Sequence, residues 1–214
     1  MTDRMRTHIL VAASLLAATS VTGCSAETQG TPTRVTEATG SPTSTSTDNG
    51  TTEHGAPRVK NPVDFSATEV DPCSALTATQ VQTLGLAGTT GKDDSRASGK
   101  ACMWSGFTGP SGLIVSLRFV AGSGGLDNLY NLRSSYKLFE PQSEIQGLPA
   151  ALVAVLDNRA RGECGLAVGL TDSQHILITV ISRTGADPAP RIGEPCVVAR
   201  EAADLMLTTI KGGS

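Results

Sequence analysis

The chain is short of the residues that mark most catalytic and nucleic-acid-binding sites. Its 17 Lys and Arg are scattered and are outnumbered by 20 Asp and Glu, for a formal net charge of -3. Phosphate neutralisation needs a clustered positive surface, so no nucleic-acid partner is expected. No Cys-x-x-Cys pair occurs, and His175 is the only histidine between residues 63 and 214, which leaves a zinc site without ligands. No serine sits in a Gly-x-Ser-x-Gly elbow. Gly91-Lys92 lacks both the earlier glycine and the following Ser or Thr of a phosphate loop. Asp93-Asp94 and Asp157-Asn158 lack calcium-loop spacing and read as solvated turns. Glu140, Glu144 and Glu163 are the carboxylates that acid-base chemistry would have to use, and they read as ordinary surface. His175, at the head of a strand after a turn, reads as a surface or packing residue. No catalytic residue, metal or cofactor is therefore assigned, and the chain is not expected to be an enzyme.

Aromatic residues make up only 3% of the chain, yet Leu, Ile and Val in its later two thirds suffice for a core. The first sixty residues contain no such supply. Residues 1–23 read as an export signal: Arg4 and Arg6 precede the apolar run Ile9 to Ala18, too short to span a bilayer comfortably. It ends in Val21-Thr22-Gly23-Cys24, which resembles the bacterial lipobox of an aliphatic residue, a small residue, Gly or Ala, then Cys. In that motif the Cys24 sulfur accepts a diacylglycerol and cleavage just before it makes the lipidated Cys the first residue. Small side chains admit the peptidase to the backbone, and the thiolate is the nucleophile. Two fatty chains bury enough CH2 groups for stable anchoring, at about 0.8 kcal/mol each. The expected location is the extracytoplasmic face of the cell membrane, held there by the N-terminal lipid.

Residues 24–62 carry the lipidated Cys and a Thr, Ser, Gly and Pro-rich stretch with hardly any large apolar residue. Such a segment cannot bury enough surface to offset its ordering entropy. It reads as a disordered tether with an r.m.s. reach on the order of 35 Å, in which His54 is simply solvated.

Residues 63–214 read as one folded domain. Leu76-Thr77-Ala78-Thr79-Gln80-Val81 is a helix start, with Thr77 as N-cap, Gln80 closing a capping box and Leu76 stapled to Val81; Gly85 or Gly88 ends it. Ala101 to Phe107 and Gly112 to Ala121 are strands about a turn at Gly109 to Gly112, and Leu113, Val115, Leu117 and Phe119 alternate with Ser116 and Arg118. A weaker helical spacing runs from Gly125 to Tyr136. Further strands are expected over Ala150 to Leu156, Glu163 to Leu170 and His175 to Arg183, the last pair turned at Thr171-Asp172-Ser173. Pro195 to about Lys211 forms an amphipathic helix, with Val198, Ala202, Leu205, Met206 and Ile210 on its apolar side. Strands grouped between terminal helices predict an α+β fold, a mainly antiparallel sheet with N-terminal and C-terminal helices packed on one face. Gly122 to Gly125 reads as a loop, with the lip of a cleft as the alternative.

With Cys24 assigned to the lipid, Cys73, Cys102, Cys164 and Cys196 remain, an even number outside the cytosol, and two disulfides are expected. Three connectivities exist, and loop entropy, near 3.5 kcal/mol for each local bridge, does not choose among them. Cys164 shares a strand face with Leu166, Val168 and Leu170, and Cys196 opens the helix that must cover that core. This favours Cys164 with Cys196 and Cys73 with Cys102. Trp104, two residues beyond Cys102, is expected on the disulfide or in the core, with ligand stacking as the alternative.

Taken in order, Asp71-Pro72-Cys73 leading to Leu76-Thr77, Cys102-Met103-Trp104-Ser105, Gly147-Leu148-Pro149-Ala150, Cys164 heading a strand and Pro195-Cys196 opening a helix resemble the DUF3558 family of actinobacterial lipoproteins. The resemblance covers about residues 63 to 211. It implies an envelope lipoprotein and carries over no catalytic residue. The expected function is that of a non-catalytic binding or accessory domain whose partner is an envelope protein or a small molecule. The alternatives are an envelope-acting hydrolase and a passive structural or sensor accessory.

Overall fold

The computed structural model describes residues 50–183 and 194–212. The signal, the Val21-Thr22-Gly23-Cys24 motif and most of the tether lie outside the described residues. Seven antiparallel strands form one sheet: β1 (Lys92–Asp93), β2 (Ala101–Ser105), β3 (Leu113–Phe119), β4 (Leu138–Ile145), β5 (Leu148–Ala154), β6 (Glu163–Gly169) and β7 (His175–Ser182). Their order across the sheet is β1-β2-β3-β7-β6-β5-β4. Two meanders thus meet where β7 pairs with β3, with Leu117 opposite Ile178 and Val115 opposite Val180. Among the described residues four α-helices accompany the sheet: α1 (Ser66–Val70), α2 (Ala78–Thr83), α3 (Gly125–Asn131) and α4 (Pro195–Gly212). The fold is α+β and a single domain.

The first face of the sheet carries the main core. Leu117, Leu166, Ile178 and Val180, all fully buried, lie beneath the apolar side of α4, where Val198, Ala202, Met206 and Ile210 are buried too. Alternation at β3 is as the pattern predicts, with its odd positions buried and Ile114, Ser116 and Arg118 half-buried. Thr77 and Gln80 close a capping box at α2, and Gln80 also donates to the Leu205 carbonyl of α4 at 2.9 Å. Of the three cysteine connectivities, the structure holds Cys73–Cys102 and Cys164–Cys196, with Cα atoms 5.0 and 5.2 Å apart. The second bridge ties the start of α4 to the start of β6.

Three expectations need correction. The second face of the sheet is not bare: α3 packs Leu126 and Leu129 over Ala151, Val153 and Ala167, so β6 is covered on both sides and every residue after Glu163 is buried. Strand β4 was not foreseen because Pro141 and its charged neighbours spoil the alternation. It is an edge strand, where a missing backbone donor leaves no sheet partner unsatisfied. Finally, the domain begins before Val63. Residues 50–62, expected in the tether, pack on the domain: Ala56, fully buried, joins Leu126 and Leu129 on the α3 face, and Val59, nearly buried, joins the main core.

Candidate functional site

A cleft of about 620 Å³ opens on the α3 face. Its floor is the outward side of the central strands, Gly165 of β6 with Leu177 and Thr179 of β7. One wall is α3 with Asn128 and Leu129, and the other is Val153 to Leu156, where β5 ends and the chain leaves the sheet. Strand β5 pairs with β6 only from Ala150 to Leu152. Beyond that point the Val153 carbonyl lies over Gly165, where a Cβ would stand 2.5 Å from its oxygen. Glycine at this position is what allows the close approach. Val155 and Leu156, expected in the strand, have left it and stand 66% and 59% exposed as an apolar rim.

The two ends of the cleft are polar. At one, Asn158 donates to Glu163 Oε2 at 3.0 Å. At the other lie Ser123 and His175, both buried. The Gly122 to Gly125 stretch is both of the things it was expected to be, a loop and the lip of a cleft. Gly125, at φ +67°, starts α3 so close to the β6–β7 turn that a Cβ would lie 2.2 Å from the Asp172 carbonyl oxygen. His175 is 4% exposed. Burial lowers its pKa to about 4, against the effect of a hydrogen bond with the Gly125 backbone, so the ring is neutral at pH 7. Its Nδ1 is buried and has no hydrogen-bond partner.

Beside the cleft runs the segment from Gly50 to Val59, here called the strap. It turns back on itself, with Arg58 N donating to the Gly50 carbonyl at 3.1 Å, and two aspartates hold it down. Asp127 of α3 accepts from Thr52 Oγ1 and from His54 N at 2.8 Å, and its Oδ2 lies 2.7 Å from His54 Nδ1. Asp172 accepts from Val59 N at 2.8 Å and from Arg58 Nη1 at 2.9 Å. Burial opposes ionisation of Asp127, but the bonds from Thr52 and His54 outweigh it and hold the carboxyl below the usual carboxylate range. His54 is thus a structural contact and not a solvated tether residue. The sequence signals for the strap were weak: Ala56 and Val59 are its only apolar cues, and its acceptors lie 73 to 114 residues away.

The remaining residues singled out in the sequence are dispersed. Trp104 is 1% exposed, and its Nε1 and Cys102 Sγ converge beside Gly91, 2.9 and 2.6 Å from where a Cβ would stand. It therefore packs on the Cys73–Cys102 bridge. Glu140 pairs with Arg159 at 3.0 Å, Glu163 with Asn158, and the Glu144 carbonyl accepts from Arg200 at 2.9 Å. The Glu140 and Glu163 carboxylates thus have separate partners, and Glu144 is held through its main-chain carbonyl. Asp93 accepts from Ser95, Asp157 from Arg159. The four cysteines of the domain are all in disulfides, and among the described residues no cluster of three or more His, Cys, Asp or Glu is placed to hold a metal ion.

A family model described as a protein of unknown function (DUF3558) matches residues 19–209. The chain belongs to the DUF3558 family. No curated protein and no solved structure matches it. The DUF3558 match begins 44 residues ahead of the 63 to 211 stretch on which the sequence resemblance rested and ends two residues short of its end. It takes in Val21 to Cys24 and the strap as well as the sheet, the two disulfides and the cleft.

Proposed function

We propose that this DUF3558 protein is a lipid-anchored, extracytoplasmic binding protein that takes a small apolar molecule in the cleft over Gly165, Leu177 and Thr179, without transforming it. The cleft carries the reading. Its volume lies within the roughly 300 to 1,000 Å³ of small-molecule sites, eight of its seventeen lining residues are Val, Leu or Ala, and its one ionic group, Glu163, stands at one end. A binding role is favoured over hydrolysis by His175, whose ring engages the Gly125 backbone and no hydroxyl or thiol nucleophile. Anchoring is supported by the order of basic residues, apolar run and Val21-Thr22-Gly23-Cys24.

Titration with N-phenyl-1-naphthylamine, an uncharged probe whose emission rises in apolar sites, tests the cleft. Saturable enhancement is expected, lost in Thr179→Trp, which fills the floor, and in Ala121→Trp, which fills the exposed mouth without touching the core. Enhancement that survives in both variants, with both folded, sinks the cleft as the site. Anchoring is tested separately: Cys24→Ala should abolish fatty-acid labelling and move the chain out of the membrane fraction.

A further inference from the structure

We infer that the ligand of this cleft is an uncharged amphiphile, with an apolar chain or ring along Gly165, Leu177 and Thr179 and a hydroxyl that hydrogen-bonds Nδ1 of His175. This rests on the cleft being the binding site. It adds the chemical class of the ligand and the atom that recognises its head.

The first observation is the unpaired nitrogen. Buried polar atoms are nearly always hydrogen-bonded, and an exception needs an explanation. His175 lines the cleft and is 4% exposed, and its Nδ1 has no partner. A hydroxyl, which both donates and accepts, complements Nδ1 in either tautomer of the neutral ring.

The second observation is the distribution of charge. No Lys or Arg lines the cleft, and its only ionic lining group is the carboxylate of Glu163. On the same sheet face Arg118 stands opposite Leu177 but donates to the Gly99 carbonyl at 3.1 Å and to Asp94 Oδ2 at 3.2 Å. Arg161 is set behind Asn158, donating to its Oδ1 at 2.6 Å. An anionic head would lose its water, find no cation in the lining and meet the Glu163 carboxylate at one end. An ammonium head at His175 would be buried without a counter-ion. A neutral hydroxyl meets neither penalty.

The test uses the full chain carrying Cys24→Ala, so that no detergent competes, with N-phenyl-1-naphthylamine displaced at pH 7 by dodecanol, dodecanoate, dodecyltrimethylammonium and dodecane. Dodecanol should displace the probe at a concentration about tenfold below either charged competitor, the factor that one net hydrogen bond supplies. In His175→Leu the advantage of dodecanol over dodecane should shrink about tenfold while the probe still binds; His175→Phe serves if the leucine variant does not fold. Tighter binding of dodecanoate or of the ammonium overturns the inference and leaves the cleft standing as a site. An unchanged ratio of dodecanol to dodecane in the His175 variants also overturns it. Absence of probe binding and of any displacement removes the binding reading and this inference together.

Discussion

His54 and Asp127 meet across 73 residues of sequence, with Nδ1 of the imidazole 2.7 Å from Oδ2 of the carboxylate and the His54 amide 2.8 Å from Oδ1. The same carboxylate also takes the Thr52 hydroxyl. One side chain of α3 thereby fixes the strap at both Thr52 and His54.

Removing that carboxylate should free the strap before it harms the sheet. Asp127→Ala is expected to cost about 1.5 to 3 kcal/mol, the range for hydrogen bonds to a charged group, and to raise amide exchange from Thr52 to Val59 well before exchange in β6 and β7. Equal protection of the strap in the variant and the parent chain would show that Asp172 and Ala56 hold it unaided.

Two titrations should appear in the acid unfolding of the domain. The pKa of His175 is lowered by burial from its ordinary 6.5 to about 4, so the unfolded chain binds a proton that the folded chain refuses. Stability contributed by its neutral form is present above about pH 6.5 and is lost as pH falls toward 4, on the order of 3 kcal/mol across the window. Asp127 is also depressed; its contribution persists to lower pH and is lost as pH falls below the usual carboxylate range. Thermal melts of His175→Leu between pH 7 and 4 should show a shallower decline than the parent. Parallel curves would mean that His175 is solvated.

The two disulfides should be separable by fluorescence. Each closes a loop, spanning 29 and 32 residues, and loss of either is expected to cost about 3.5 kcal/mol. Trp104 is the only tryptophan and lies against Cys102, so replacing Cys73 and Cys102 by Ala should relieve disulfide quenching and raise its emission. The corresponding pair at Cys164 and Cys196 should lose stability without that rise. Equal emission changes in the two double variants would contradict the packing around Gly91.

Gly125→Ala should be much worse than Gly85→Ala, although both glycines have positive φ, +67° and +80°. The cost of a left-handed alanine, about 1 to 2 kcal/mol, is common to both. Only at Gly125 does the added Cβ meet a carbonyl oxygen, that of Asp172, at 2.2 Å; at Gly85 nothing lies within 4 Å. Urea unfolding of the two variants measures the difference, and equal midpoints would show that the start of α3 shifts freely.

The parts of this fold that were legible in the sequence are those whose signals are local. The capping box of Thr77 and Gln80, the alternation of Leu113 to Phe119 and the apolar side of α4 all depend on neighbours a few residues apart. Strand β4 was hidden because its Pro141 is tolerated by sheet position, which composition does not report. The strap was hidden more deeply: Thr52, His54 and Val59 look like tether until Asp127 and Asp172 are brought to them. The cleft had one faint cue, the lip at Gly122 to Gly125; its floor had none, since it arises where β5 departs from β6 over the bare backbone of Gly165. His175 was visible as a residue, but its burial and its unpaired nitrogen emerge only when β7 passes beneath the start of α3.

The way the strap is pinned also decides where tension would enter the domain. A pull on the chain at Gly50 meets first the bond from Arg58 N to the Gly50 carbonyl, then the Asp127 cluster, and only then Asp172 at the β6–β7 turn. The load arrives on the same face as the cleft, at the helix whose first residue abuts His175 and at the turn against which that residue is wedged. The strand ladders of the sheet, and the α4 face behind them, are the last to feel it.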